Sequence, residues 1–286
     1  MTIASVPASV AVIGGGRMGA GIAQVFAAKG ARVSVVESDE RTAAAAHRRI
    51  TDGLARAAER GTLADDPAVA ATRLTVHTDM AALPAGIELL VEAVPERTDI
   101  KLDVLTRAER AVGADAVLAT NTSSLPVTEL ANALENPARF LGMHFFNPVA
   151  PSQLVEVVTA PQTSDAVTER VLGWVTGLDK TGIVVRDSPG FATSRLGVLL
   201  GLEAIRMLEE GVATAGAIDT GMELGYRHQM GPLRSTDLVG LDVRLAIAEY
   251  LQSVLGDRFA PPQLLRDKVA RGELGRKTGH GFYDWE

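Results

Sequence analysis

The stretch from Ser9 to Glu37 constrains this chain more than any other. Ser-Val-Ala-Val-Ile, from Ser9 to Ile13, is apolar and rich in β-branched residues, and it stops at Gly14-Gly15-Gly16. Such a run reads as a buried strand entering a tight turn. Met18, Ile22, Val25 and Phe26 then recur at helical spacing as far as Lys29-Gly30, a basic last turn followed by a glycine stop. Arg32 to Val36 predicts a second strand that ends at Glu37. Strand, glycine turn, helix, strand is the start of a parallel sheet with a right-handed crossover.

Further strands are predicted at Leu74–His77, Leu89–Val94, Val117–Thr120 and Phe140–Phe146, with helical stretches between them. That alternation implies an α/β fold: a doubly wound, mostly parallel sheet of the Rossmann type. The connection from Glu37 to Leu74 is too long for one crossover helix, so a helical excursion is expected at about 38–73. After Asp187 the pattern turns helical, broken by Gly211, Gly225, Gly240, Gly256 and Pro261-Pro262. With 286 residues, two domains are expected, 1–187 and a smaller all-helical 188–286, with Ser188-Pro189 as a helix start near the boundary. The uncharged run Leu196–Leu202, with Gly197 and Gly201 on one side, needs neighbours all round, from its own domain or from a second subunit.

Composition narrows the function. A net charge of −7 argues against nucleic acid as a partner. The absence of cysteine removes disulfides, Cys-based zinc sites, iron–sulfur clusters and a thiol nucleophile, and no metal is expected. No window of 18 residues is apolar and uncharged, and Met1–Ser9 lacks the basic start and apolar core of a signal peptide. A soluble cytoplasmic protein without a membrane partner is the expectation.

Gly14-x-Gly16-x-x-Gly19 sits where a dinucleotide fingerprint must sit, after a strand and opening a helix. Glu37 follows Gly19 by 18 residues, at the end of the second strand. A carboxylate there accepts hydrogen bonds from the adenosine ribose and repels a 2′-phosphate, which favours NAD over NADP.

The segment Gly142-Met143-His144-Phe145-Phe146-Asn147-Pro148 is followed by Leu154-Val155-Glu156-Val157-Val158. Two apolar runs joined by a proline-containing loop predict adjacent strands, with Glu156 facing His144. A histidine among apolar neighbours is commonly a satisfied core residue, but a facing carboxylate at a strand end favours a working base. Thr120-Asn121-Thr122-Ser123-Ser124 offers hydroxyl and amide groups at the same sheet edge, or an ordinary capping turn. In the excursion, Arg49, Arg56 and Arg60 share one helical face with Gly53, a stripe suited either to phosphate contact or to solvent.

Together these residues resemble the short-chain L-3-hydroxyacyl-CoA dehydrogenase family, which includes 3-hydroxybutyryl-CoA dehydrogenases. The resemblance rests on Val12 to Gly19, Val91-Glu92-Ala93-Val94-Pro95-Glu96, Asn121 to Leu125, Gly142 to Pro148, Met230-Gly231-Pro232 and Gly275 to Tyr283. It implies NAD-dependent oxidation of a (S)-3-hydroxyacyl-CoA, of short acyl length, and a homodimer formed through the helical domain. Carried over residue by residue, His144 is the general base, Glu156 its orienting partner and Ser123 a substrate contact. Cofactor contacts are implied at Gly14, Gly15, Gly16, Arg17, Met18, Gly19, Glu37, Glu96, Lys101, Asn121, Asn147 and Lys277, and CoA contacts at Arg49, Arg56 and Arg60. One position departs: the family's usual Asn is Ser194, whose hydroxyl has a shorter reach for the substrate. A relative acting on a sugar acid, similar to L-gulonate dehydrogenase, and a non-catalytic NAD-binding relative are the alternatives.

Overall fold

A computed structural model describes residues 5–286; Met1–Ala4, the start of the segment read above as lacking a signal peptide, lie outside the described residues. The chain divides into two compact units, one running to Asp187 and one from Ser188 to Glu286.

The first unit runs β1 (Ser9–Ile13), α1 (Arg17–Ala28), β2 (Arg32–Val36), α2 (Glu40–Glu59), α3 (Pro67–Ala71), β3 (Leu74–His77), β4 (Leu89–Glu92) and α4 (Thr98–Ala111). It continues with β5 (Val117–Thr120), α5 (Val127–Ala131), β6 (Phe140–Phe145), β7 (Leu154–Thr159), α6 (Asp165–Gly177) and β8 (Thr181–Arg186). The eight strands form one sheet in the order β3-β2-β1-β4-β5-β6-β7-β8. Every neighbouring pair is parallel except β6 with β7. The order reverses between β1 and β4, and ligands of open α/β sheets bind beyond the strand ends at such a switch point.

Both faces of β1 are covered, and Val10, Ala11 and Val12 are fully buried, which is why its sequence is apolar throughout rather than alternating. α1 turns Ile22, Ala23 and Phe26 into the same core. Burial of Phe26 alone contributes about 3 kcal/mol. In α2, Asp39 caps the first turn by accepting from the Thr42 amide at 2.9 Å. The helix then buries Ala43, Ala46, Ile50 and Leu54, so its arginines stay on the outside. Three strands differ from the expectation, β6 only in ending at Phe145 and not Phe146. Strand β4 ends at Glu92, because the Glu92 side chain accepts from the Val94 amide and turns the chain away. Strand β8 was not anticipated; it is an edge strand paired only with β7, half-exposed, with no clean alternation to reveal it.

The second unit is built from α7 (Thr193–Glu209), α8 (Ala215–Thr220), α9 (Pro232–Val239), α10 (Leu241–Leu255) and α11 (Gln263–Ala270). Val198, Leu202, Ile205, Leu233, Leu251 and Phe259 form its core. Helix α7 does not start at Ser188-Pro189 but at Thr193, because Gly190 and Phe191 adopt φ of +73° and +51° and make a left-handed turn first. Two buried carboxylates tie the unit together. Asp219 accepts from the Leu233 and Arg234 amides and the Tyr283 hydroxyl, and Asp237 accepts from the Phe282 and Tyr283 amides and the Trp285 indole. The Met230–Pro232 and Gly275–Tyr283 motifs are thereby joined. No helix among the described residues is long and apolar enough to cross a membrane.

Candidate active site

The glycine turn after β1 is shaped by contacts that no side chain would permit. Gly14 has φ of +94°, and a Cβ on Gly19 would lie 1.8 Å from the Gly14 carbonyl oxygen. Gly16 is the opposite case: it precedes α1, and a Cβ there would meet no protein atom within 4 Å. It opens onto a cleft of about 790 Å³ that is lined by Gly14, Met18, Glu37, Met80 and Pro95, among others. No acidic side chain occupies the first turn of α1, so the helix N-terminus keeps its preference for an anion. Glu37 stands at the end of β2 and accepts from the Gly15 amide at 2.6 Å, which fixes its carboxylate at the rim of the cleft. Cradle, helix N-terminus and carboxylate fit a dinucleotide.

The catalytic pair expected from the sequence is brought together by register. His144 and Glu156 are cross-strand partners on β6 and β7, and Nδ1 and Oε2 lie 2.7 Å apart. His144 is 4% exposed and Glu156 is fully buried. With Nδ1 donating to a carboxylate, the imidazole is held in the tautomer whose Nε2 has the lone pair. Phe146 packs against the imidazole with ring centroids 4.6 Å apart. Asn121, expected as a cofactor contact, accepts from the Phe145 amide at 2.9 Å and so straps the loop after β5 to β6.

Behind that loop lies an ionic cluster that sequence reading did not assemble. Lys101, 1% exposed, donates to Glu92 at 2.7 Å and lies 3.3 Å from the second oxygen of Glu96. The other Glu96 oxygen accepts from the Thr122 hydroxyl at 2.5 Å and from the Ser123 and Ser124 amides at 2.9 and 3.2 Å. Burial would raise the Glu96 carboxyl, but Lys101 and the bonds from Thr122 and Ser123 together hold it below its usual 4.5. Glu96 and Lys101 therefore shape the loop that presents Ser123. Glu92, which was given no role, accepts from Thr120 at 2.6 Å as well. The available signal was Lys101 itself, a cation in the first turn of α4, where the helix dipole disfavours it unless an anion is near.

A second cavity, of about 680 Å³, lies on another flank of α1. Arg17, Arg49, Arg56, Arg60, Gln24 and Asn147 are among its lining residues, so the predicted arginine stripe converges with the loop that follows the catalytic strand. Gly53 lets α2 approach α1, because a Cβ there would collide with Gln24 at 2.4 Å. Arg49 also donates to the Gly15 carbonyl at 3.3 Å and links this cavity to the glycine turn. Lys180 was not singled out by its sequence context. Its ammonium is buried and donates to the carbonyls of Val149 at 2.8 Å, Ala150 at 3.3 Å and Ser152, which pins the wall of the cavity.

In the helical unit, Ser194 occupies the first turn of α7 and is half-buried. Lys277 donates to both oxygens of Asp242, at 2.5 and 2.6 Å, beside Gly240. His280 pairs with Asp284 at 2.5 Å in an exposed turn.

The 3-hydroxyacyl-CoA dehydrogenase NAD binding domain matches residues 9–188, and the 3-hydroxyacyl-CoA dehydrogenase C-terminal domain matches residues 190–285. A probable 3-hydroxybutyryl-CoA dehydrogenase of Deinococcus radiodurans is 43% identical over 275 residues, covering 96% of this chain and 99% of that one. The 3-hydroxybutyryl-CoA dehydrogenase of Mycobacterium tuberculosis is 40% identical over 280 residues, covering 96% and 98%. Among solved structures, M. tuberculosis FadB2 superposes with a TM-score of 0.93 at 39% identity, over 99% of this chain and 100% of that one. The (S)-3-hydroxybutyryl-CoA dehydrogenase PaaH1 of Ralstonia eutropha gives 0.92 at 37%, over 98% and 99%. On matches that span both units at this identity, the chain belongs to the 3-hydroxyacyl-CoA dehydrogenase family.

Proposed function

We propose that this chain oxidises short (S)-3-hydroxyacyl-CoA thioesters, such as 3-hydroxybutyryl-CoA, to 3-oxoacyl-CoA with NAD, and reduces them in reverse. The observation that carries the reading is the buried His144–Glu156 pair at 2.7 Å. His144 Nε2 takes the proton of the C3 hydroxyl, and Glu156 stabilises the resulting imidazolium while fixing the ring. NAD, when bound, would supply the hydride acceptor for C3. Ser123 and Ser194 hydrogen-bond the reacting oxygen, Ser123 from the loop that Glu96 organises.

The chain's own residues supply both handles for binding. Gly14 to Gly19 and Glu37 hold the dinucleotide, with Arg17, Met18, Glu96, Lys101, Asn121, Asn147 and Lys277 contributing to that site directly or by shaping it. Arg49, Arg56 and Arg60 take the CoA phosphates in the second cavity. The helical unit provides substrate closure and a homodimer contact. What supports the dimer is apolar surface on that unit, where Leu196, Leu224 and Tyr226 are 68, 79 and 76% exposed.

The test is NADH oxidation by the purified protein with acetoacetyl-CoA and, in parallel, with free acetoacetate. Turnover of the thioester alone is expected. Equal turnover of the free acid would overturn the reading in favour of a free hydroxy acid dehydrogenase.

A further inference from the structure

One buried and one partly exposed carboxylate share a single lysine at the wall of the dinucleotide cleft. Glu92, fully buried at the end of β4, accepts from Lys101 Nζ and from the Val94 amide, each at 2.7 Å, and from the Thr120 hydroxyl at 2.6 Å. Glu96, 39% exposed, lies 3.3 Å from the same ammonium and accepts from Thr122, Ser123 and Ser124. Every one of these contacts is a donation to a carboxylate, the pattern that suits the ionised form. Among the described residues no other cation pairs with either carboxylate. The cluster therefore sets two negative charges against one positive, and the N-terminal turn of α4, which carries Lys101, offsets only a fraction of the remainder.

The cluster adjoins the cofactor cleft directly. The three residues between the two carboxylates, Ala93, Val94 and Pro95, all line the cleft that opens from the glycine turn. Across the sheet, the order β2-β1-β4-β5-β6 runs from the strand that ends at Glu37, past the glycine turn, to the strand that carries His144. A dinucleotide whose adenosine ribose meets the carboxylate at the end of β2 extends its nicotinamide end toward β4, β5 and β6. Proton and hydride leave the same carbinol, so the ring that exchanges hydride lies on the His144 side of the glycine turn. Glu92 and Glu96, at the end of β4 and in the loop after it, are on that side.

Nicotinamide carries a positive charge when oxidised and none when reduced. Resting on the function proposed above for where hydride is exchanged, we propose that the Glu92–Lys101–Glu96 cluster tunes the bound cofactor electrostatically, its uncompensated negative charge favouring NAD⁺ over NADH. In a cleft partly shielded from water, one unit charge acting over several ångströms shifts the ratio of the two dissociation constants by roughly 3- to 30-fold. By linkage, the same factor moves the equilibrium of hydride transfer on the enzyme toward NAD⁺ and the hydroxyacyl thioester.

The experiment measures Kd for NADH by fluorescence and Kd for NAD⁺ by isothermal titration calorimetry, at neutral pH and one low ionic strength. Glu96→Gln and Glu92→Gln each remove the net charge and nearly keep the shape, and the ratio of Kd for NAD⁺ to Kd for NADH is expected to rise roughly 3- to 30-fold over wild type. Thr122→Val takes away the hydroxyl bond to Glu96 and slackens the same loop without a change of charge, so its ratio stays within about twofold of wild type. The other charged residues that line the cleft, Arg17, Glu37 and Arg107, are common to every variant. An unchanged ratio in Glu96→Gln, with both affinities weakened alike or not at all, overturns the proposal. So does an equal shift in Thr122→Val, which leaves the cluster as a scaffold for the loop. Should Glu92→Gln not fold, Glu96→Gln against Thr122→Val decides the matter. Turnover of acetoacetyl-CoA by the wild type is followed alongside: its absence with both cofactors bound defeats the proposed function, and the ratio still decides what the cluster does.

Discussion

His144 and Glu156 face each other across the antiparallel pair β6 and β7, the one antiparallel pairing in an otherwise parallel sheet, with Nδ1 and Oε2 2.7 Å apart. The strand reversal has a chemical consequence. It places the proposed base and its proposed orienting carboxylate on two rigid neighbours instead of on mobile loops, and burial of Glu156 prevents water from competing for the contact. Glu156→Gln keeps the shape but removes the charge that stabilises imidazolium and selects the tautomer. A fall in kcat of about 10³- to 10⁴-fold is expected, with NADH affinity by fluorescence unchanged.

The Glu96 carboxylate joins Lys101 to the Ser123 loop, and its folded pKa is depressed. A depressed carboxylate contributes stability that is present above its unfolded value of about 4.5 and is lost as pH falls through the lower folded value. Urea denaturation of wild type and Glu96→Gln should show the wild type ahead at pH 7 and the gap closing at more acidic pH. The same variant loosens Ser123 and should lower kcat more than it weakens NADH binding.

Lys180 holds three carbonyls of the segment that follows the catalytic strand. Lys180→Met leaves them without that donor in a buried setting and should cost about 1–3 kcal/mol in chemical denaturation. Because Val149 and Ala150 line the arginine cavity, KM for acyl-CoA should rise more than KM for NADH.

Arg56 and Arg60 are exposed at the arginine cavity, away from the glycine turn cleft. Charge reversal at both should raise KM for acetoacetyl-CoA by roughly tenfold or more at low salt, and less at high salt, since exposed charges are screened. KM for NADH should stay within about twofold, because these side chains lie outside the dinucleotide cleft and act there only through screened, long-range charge.

The parts of the site that could be read from the sequence are those carried by local pattern. Gly14 and Gly19 announce their turn because backbone geometry leaves no other residue there, and His144 and Glu156 sit in apolar runs joined by a proline-containing loop, which makes the two strands neighbours. What escaped reading depends on docking between elements distant in the chain. Lys101 meets Glu92 only because α4 packs back beside β4, and Lys180 reaches its carbonyls only because β8 adds to the sheet edge. Arg244 looks like an ordinary charged residue on an amphipathic helix, and its burial becomes evident only when the glycine face of α7 is set against it. The start of α7 was misread for a local reason: a capping serine followed by proline resembles a helix entry, but the left-handed Gly190 and Phe191 intervene.

The most direct test of the account is the turnover number of His144→Gln for acetoacetyl-CoA at saturating NADH, measured with a binding isotherm for NADH on the same preparation. The account predicts a loss of at least about 10²- to 10⁴-fold with NADH affinity preserved, the range for removing a general acid–base group. A variant that keeps more than a tenth of wild-type turnover would contradict it.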